Sequence, residues 1–193
     1  MHRILNIAGN ENNNVDLIEH PKADFIFITS VKADINIISD LIEDKEFLLF
    51  QDNFRALEIS NLNTFAQIDN YFLKTVNHAK IVVLRLFGDK GTWSYGLEQL
   101  IKWKEVNLNK TLLILSGTDE EDLSLNELSS VDLDTSLKIS KLLKSGGKEN
   151  YRRFLYCLSY LSSNETNIPK KYISNVSYPD PYQYDWKNEK GLK

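Results

Sequence analysis

Cysteine is almost absent: Cys157 is alone among 193 residues. No disulfide can therefore form within the chain, and a zinc site built on paired cysteines is excluded. Glycine is also sparse, at eight residues. The first apolar run leads into Gly9-Asn10-Glu11-Asn12, which has neither the G-x-G-x-x-G spacing nor a Walker lysine, so a dinucleotide or P-loop site is not expected. Neither sign of charge dominates, with 23 Lys and Arg against 27 Asp and Glu and a net charge of −4. Nucleic-acid surfaces and polybasic membrane patches both need a basic excess to meet phosphates, so neither partner class is expected. No apolar run approaches the roughly 20 residues of a spanning helix, and the first seven residues lack the flanks of a signal peptide. The cytoplasm is the expected compartment.

What is present is a repeating alternation of strand and helix signals. Residues 3–8, Phe25–Thr29, residues 80–86 and Thr111–Ser116 are continuous apolar runs rich in β-branched side chains. Such runs suit strands buried on both faces, as in a parallel sheet. A shorter strand is expected at 56–59, after a strand or turn at 47–50. Ile38, Leu41 and Ile42 form one apolar helical face after Asp34, read as its N-cap. Phe65, Ile68, Phe72 and Val76 line a second helix. Leu97, Leu100 and Ile101 line a third, supported by Glu98 and Lys102 at i, i+4. The order predicts an α/β fold: an open, mainly parallel sheet with helices on both faces, Rossmann-like or flavodoxin-like.

Leu137, Ile139, Leu142 and Leu143 then predict a helix ended by Gly146-Gly147, since glycine accepts the positive φ that follows a helix C-terminus. A last helix carries Tyr151, Phe154, Leu155, Leu158 and Leu161 on one face, with Cys157 as a buried thiol. The α/β domain is assigned to residues 1–162. Residues 163–193 hold Pro169, Pro179 and Pro181 with Tyr178, Tyr182, Tyr184 and Trp186. They are expected to form an extended arm that packs on something, or a linker to a following domain.

Few constellations carry chemistry. His2, His20 and His78 have no ligand-like spacing, and Glu120, Glu121 and Asp122 read as a solvated acidic loop. No nucleophile motif is present; W-S-Y-G around Ser94 lacks the first glycine of a nucleophile elbow. One segment stands apart: R-L-F-G-D-K-G-T-W-S-Y-G, from Arg85 to Gly96. It follows a buried strand, turns through glycines and opens a helix, the place where open α/β sheets bind ligands. Arg85, Gly88, Trp93, Tyr95 and Gly96 are the candidate substrate-binding residues: a guanidinium for a carboxylate or amide, aromatic faces, and glycines for close approach. The alternative is that Arg85 pairs with an internal carboxylate while Trp93 and Tyr95 cover the sheet end.

The stretch V-V-L-R-L-F-G-D-K-G-T-W-S-Y-G-L-E-Q-L resembles a motif near the N-terminus of CobN-type cobaltochelatase large subunits, relatives of the magnesium chelatase large subunits. A-D-F-I-F-I-T-S-V-K-A-D-I resembles that family's second strand, and Gly146-Gly147-Lys148-Glu149-Asn150 its GG-x-x-N helix. Two positions depart: the family's glycine pair is Gly88-Asp89 here, and the proline before Tyr-Gly is Ser94. The resemblance implies an N-terminal domain of a several-fold longer subunit that inserts Co²⁺ into a corrin precursor, hydrogenobyrinic acid a,c-diamide, during cobalamin synthesis. AAA+ partner subunits would hydrolyse the ATP, and the groups handling protons and cobalt would lie elsewhere in the subunit. The domain itself would bind no cofactor or metal and would be inactive alone. A stand-alone module binding a corrinoid, another tetrapyrrole or an anionic metabolite is the alternative, and a purely scaffolding domain a third.

Overall fold

The computed structural model describes residues 17–118, 123–163, 165 and 167–177. The strand expected at 3–8, the Gly9 turn, His2, the acidic residues Glu120, Glu121 and Asp122, and the aromatic tail from Tyr178 onward lie outside the described residues. Four strands form one wholly parallel sheet: β1 (Phe25–Thr29), β2 (Phe54–Glu58), β3 (Ile81–Leu86) and β4 (Thr111–Ser116), in the order β2-β1-β3-β4. Phe25 lies opposite both Phe54 and Ile81, and Ile81 opposite Thr111. The second strand starts two residues earlier than the sequence pattern indicates, because Phe54 packs beside Phe25 and Phe50.

The helices are α1 (Lys32–Ile42), α2 (Phe65–Lys74), α3 (Ser94–Val106), α4 (Leu123–Asn126), α5 (Leu133–Ser145), α6 (Lys148–Ser162) and α7 (Lys170–Ile173). Alternate strand residues point to opposite faces, and both faces are covered, which is why the runs are apolar throughout. Phe25, Phe27, Val83 and Leu113 meet α1, α5 and α6 through Ile38, Ile139, Phe154 and Leu158. Ile26, Val82, Leu84 and Ile114 meet α2 and α3 through Ile68, Leu97, Leu100 and Trp103. The path from β1 to β2 runs one way across the sheet and that from β3 to β4 the other. Crossovers of a single hand therefore put α1 on one face and α3 on the opposite one.

Local chemistry sets the helix ends. Thr64 and Gln67 form a reciprocal capping box at the start of α2. Asp132 accepts from the Thr135 amide at the start of α5. Gly146 and Gly147 adopt φ of +64° and +76°, breaking α5 from α6 as the glycine pair indicates. The Glu98–Lys102 ion pair forms at 2.6 Å. Asp34 is not the N-cap of α1: Val31 holds that position, and Asp34 sits buried inside the first turn. Beyond Ser162 the chain is not extended throughout. It turns into α7, Ile168 and Ile173 join the core, and Tyr172 stacks on Tyr156 at 4.3 Å. No helix among the described residues is long and apolar enough to cross a membrane.

Candidate functional site

The chain leaves β1 toward one face and β3 toward the other, so the crevice between their C-terminal ends is the topological switch point of the sheet. Arg85 stands there on β3 and points into the α1/α6 face. It is 6% exposed, and its Nη1 lies 2.6 Å from Asp34 Oδ1. Thr29 Oγ1 donates to Asp34 Oδ2 at 2.8 Å, and the Tyr151 hydroxyl on α6 donates to Asp34 Oδ1. Tyr151 Oη also lies 3.4 Å from Arg85 Nη1. Burial and the neighbouring Asp34 carboxylate hold the Tyr151 phenol well above its ordinary range. One carboxylate thus gathers a guanidinium, a hydroxyl and a phenol from β3, β1 and α6. Arg85 Nε is buried without a hydrogen-bond partner.

Two hydrogen bonds cross between the ends of β1 and β3. Ser30 donates its amide to the Arg85 carbonyl at 2.9 Å, and the Phe87 amide donates to Ser30 Oγ at 3.1 Å. The following turn is self-supporting. Gly88 has φ of +104°, and a Cβ there would fall 2.3 Å from Thr92 Oγ1. Asp89 Oδ1 accepts from the Gly91 amide at 2.9 Å. The carboxylate standing in place of the family's second glycine therefore closes the turn from within.

Trp93 and Tyr95 lie on the opposite, α2/α3, side of the sheet. Trp93 is nearly buried, and its indole N–H donates to the Leu62 carbonyl at 3.0 Å. Its ring rests on Gly96, where a Cβ would approach Trp93 Cζ2 to 2.2 Å. Tyr95 is half-buried. Its ring meets Phe65 at 4.3 Å, and its hydroxyl donates to Asp69 Oδ1 at 2.7 Å, which raises the phenol's pKa. Phe65, Gly91, Trp93 and Tyr95 border a surface cleft of about 210 Å³. The structure therefore brings Trp93, Tyr95 and Gly96 together and separates them from Arg85.

Sequence reasoning missed Asp34 and Tyr151 as the partners of Arg85, and Thr29 as a further partner of Asp34. They lie up to 66 residues from it in sequence. Asp34 and Tyr151 do fall in or next to the A-D-I and GG-x-x-N stretches, which was the available signal. It also left the asparagine of the second motif without a role. Asn150 is fully buried, donates to the Gly146 and Val176 carbonyls at 2.7 and 2.9 Å, and accepts from the Val176 amide at 2.7 Å. It pins the chain after α7 against the start of α6. Cys157 is buried, and its thiol is pushed up to about 12 by loss of solvation. Among the described residues no group of three or more His, Cys, Asp or Glu converges as a metal site.

No family model matches the chain. The aerobic cobaltochelatase subunit CobN of Pseudomonas aeruginosa is 31% identical over 111 residues, 56% of this chain and 9% of that protein. The CobN of a Sinorhizobium species is 26% identical over 175 residues, 89% of this chain and 13% of that protein. The chain is similar to CobN-type cobaltochelatase subunits. It spans only about a tenth of the length of those curated relatives. The catalytic subunit of cobaltochelatase from Mycobacterium tuberculosis shares the fold, with a TM-score of 0.57 and 20% identity over 82% of this chain and 12% of that one. The open parallel α/β architecture is thus also found within that catalytic subunit.

Proposed function

We propose that the chain is a domain of a cobalt-inserting chelatase subunit and that it does not insert cobalt alone. The observation that carries this is its similarity to two CobN proteins over 9% and 13% of their lengths. Co²⁺ is the substrate of that reaction, together with hydrogenobyrinic acid a,c-diamide. ATP would act through AAA+ partner subunits, and the remainder of the large subunit would supply the proton-accepting groups. The placement of the motif residues supports a positioning role. Arg85 spends its charge on Asp34, while Gly88 and Gly96 serve the packing of their own turn. The cleft beside Trp93 and Tyr95 is smaller than the roughly 300–1,000 Å³ typical of small-molecule sites, so it would meet the edge of a macrocycle and not enclose it. The test is cobalt insertion into the corrin precursor, followed by absorbance, with the purified chain, ATP and the AAA+ subunits. No insertion is expected; turnover by the purified chain would overturn the proposal.

The aromatic edge formed by exposed Phe65 and half-buried Tyr95 favours a second reading, a binding module for a corrinoid or tetrapyrrole. It predicts saturable quenching of tryptophan fluorescence that weakens in Tyr95→Ala. A flat titration across corrinoids and porphyrins would sink it.

A further inference from the structure

The guanidinium of Arg85 has more donors than its ion pair uses. A guanidinium is planar and carries its N–H groups in a rigid fork, so a neighbour can meet one edge and leave another open. Arg85 gives only Nη1 to Asp34 and Tyr151, at 2.6 and 3.4 Å. Its Nε is buried with no acceptor, and Nη2 makes no hydrogen bond among the described residues. The side-on edge, Nε with Nη2, is therefore unused, although the side chain is only 7% exposed. Buried donors without partners are rare in folded chains, and an arginine edge left so calls for an acceptor from outside.

The surroundings of that edge are those of an anion site. Asp34 fixes the guanidinium to the first turn of α1, a helix with no side-chain cap, whose first amides, those of Lys32 and Ala33, meet no acceptor. Tyr151 fixes it to the first turn of α6, which also lacks a side-chain cap. An uncapped helix start carries about half a positive charge, and its amides point outward at whatever binds there. Phe87 lies over the guanidinium, its ring centroid 5.8 Å from Cζ, and is 44% exposed, so it can turn aside without disturbing the core. Charge then selects the ligand. Asp34 already neutralises Arg85, which leaves the α1 start and the exposed Lys32 ammonium. That remainder suits one negative charge better than the nearly double charge of a phosphate group. The flat side-on edge matches the two coplanar oxygens of a carboxylate.

We propose that the Nε–Nη2 edge of Arg85, with the Lys32 and Ala33 amides, receives the carboxylate of a small molecule. This site lies on the α1/α6 side of the sheet, apart from Trp93 and Tyr95, and uses none of the turn glycines. The inference goes beyond the chelatase reading and stands whether or not that reading holds.

Nitrogen-15 NMR of the 193-residue chain tests it, with propionate as the probe. The Arg85 Nε–H and Ala33 amide signals should shift together and saturate with a single dissociation constant. Arg85→Lys keeps a charge opposite Asp34 but loses the edge. It should weaken propionate binding by at least about 10-fold, the worth of one charge-assisted hydrogen bond, while the β3 amide signals stay in place. Propionamide and inorganic phosphate should each bind more weakly than propionate by a similar factor. The titration of the parent chain decides the matter if Arg85→Lys fails to fold. An Nε–H signal that propionate leaves unmoved would overturn the proposal, as would phosphate or propionamide binding as tightly as propionate. Tighter binding of acetyl-glutamate amide than of propionate would also defeat it, since the edge would then belong to a protein side chain.

Discussion

Arg85→Met removes a buried cation while keeping most of its volume. The Asp34 carboxylate it leaves is wholly enclosed, with the Thr29 and Tyr151 hydroxyls as its remaining donors. Breaking a buried ion pair by deleting one partner costs about 3–5 kcal/mol, because the surviving charge is left uncompensated. Two hydroxyl donors remain, so the lower end, about 3 kcal/mol, is expected. Against a typical total stability of roughly 5–15 kcal/mol, that is a large fraction. At roughly 2–4 °C per kcal/mol for a domain of this size, the melting midpoint should fall by about 6–12 °C. The double variant Arg85→Met/Asp34→Leu removes both charges and should recover most of the loss, since apolar replacement of a buried pair is close to neutral. Urea unfolding of the single and double variants closes the cycle. A midpoint in Arg85→Met within a degree of the parent, coupled to weaker corrinoid binding, would refute this reasoning and return Arg85 to the role of a ligand-binding residue.

Three other outcomes follow from the packing. Gly96→Ala drives a methyl into the Trp93 ring. It should cost about 1–3 kcal/mol and red-shift tryptophan emission as the indole is displaced; an unchanged spectrum and midpoint would contradict the contact. Asn150→Ala should release the chain around Val176, seen as faster exchange of the Val176 amide and early proteolysis after Ser174, at a cost of about 1–3 kcal/mol. The Cys157 thiol should resist alkylation at pH 8 when folded and react fully in urea. The folded chain keeps a proton that the unfolded thiol loses from about pH 9, so stability should fall as pH rises from there toward 12. Stability that rises over that interval would contradict the burial.

The elements were legible where burial writes a continuous run. Phe25–Thr29 and Thr111–Ser116 lie where the sequence places them, because strands covered on both faces admit only apolar residues. β2 was legible only to within two residues, since an edge strand carries Arg55 and half-exposed side chains that blur the pattern. Asp34 misled for a physical reason. An acidic residue near a helix start is the signature of a cap, and only the tertiary neighbour Arg85 shows that the carboxylate is used elsewhere. The grouping of Arg85 with Trp93 and Tyr95 rested on nearness in sequence. A strand end and the turn after it can serve opposite faces of a sheet, which sequence nearness does not register. The aromatic residues Tyr178, Tyr182, Tyr184 and Trp186 that suggested packing lie outside the described residues, and Ile168 and Ile173 bring α7 onto the core without any aromatic signal in the sequence.

The proposed membership of this α/β unit in a larger cobalt chelatase subunit can be tested in the source cells. The experiment is an immunoblot of those cells with an antibody raised against α5 and α6. A band several-fold larger than 22.3 kDa that co-purifies with cobalt-inserting activity is expected. A band near 22.3 kDa, separate from that activity, would contradict it.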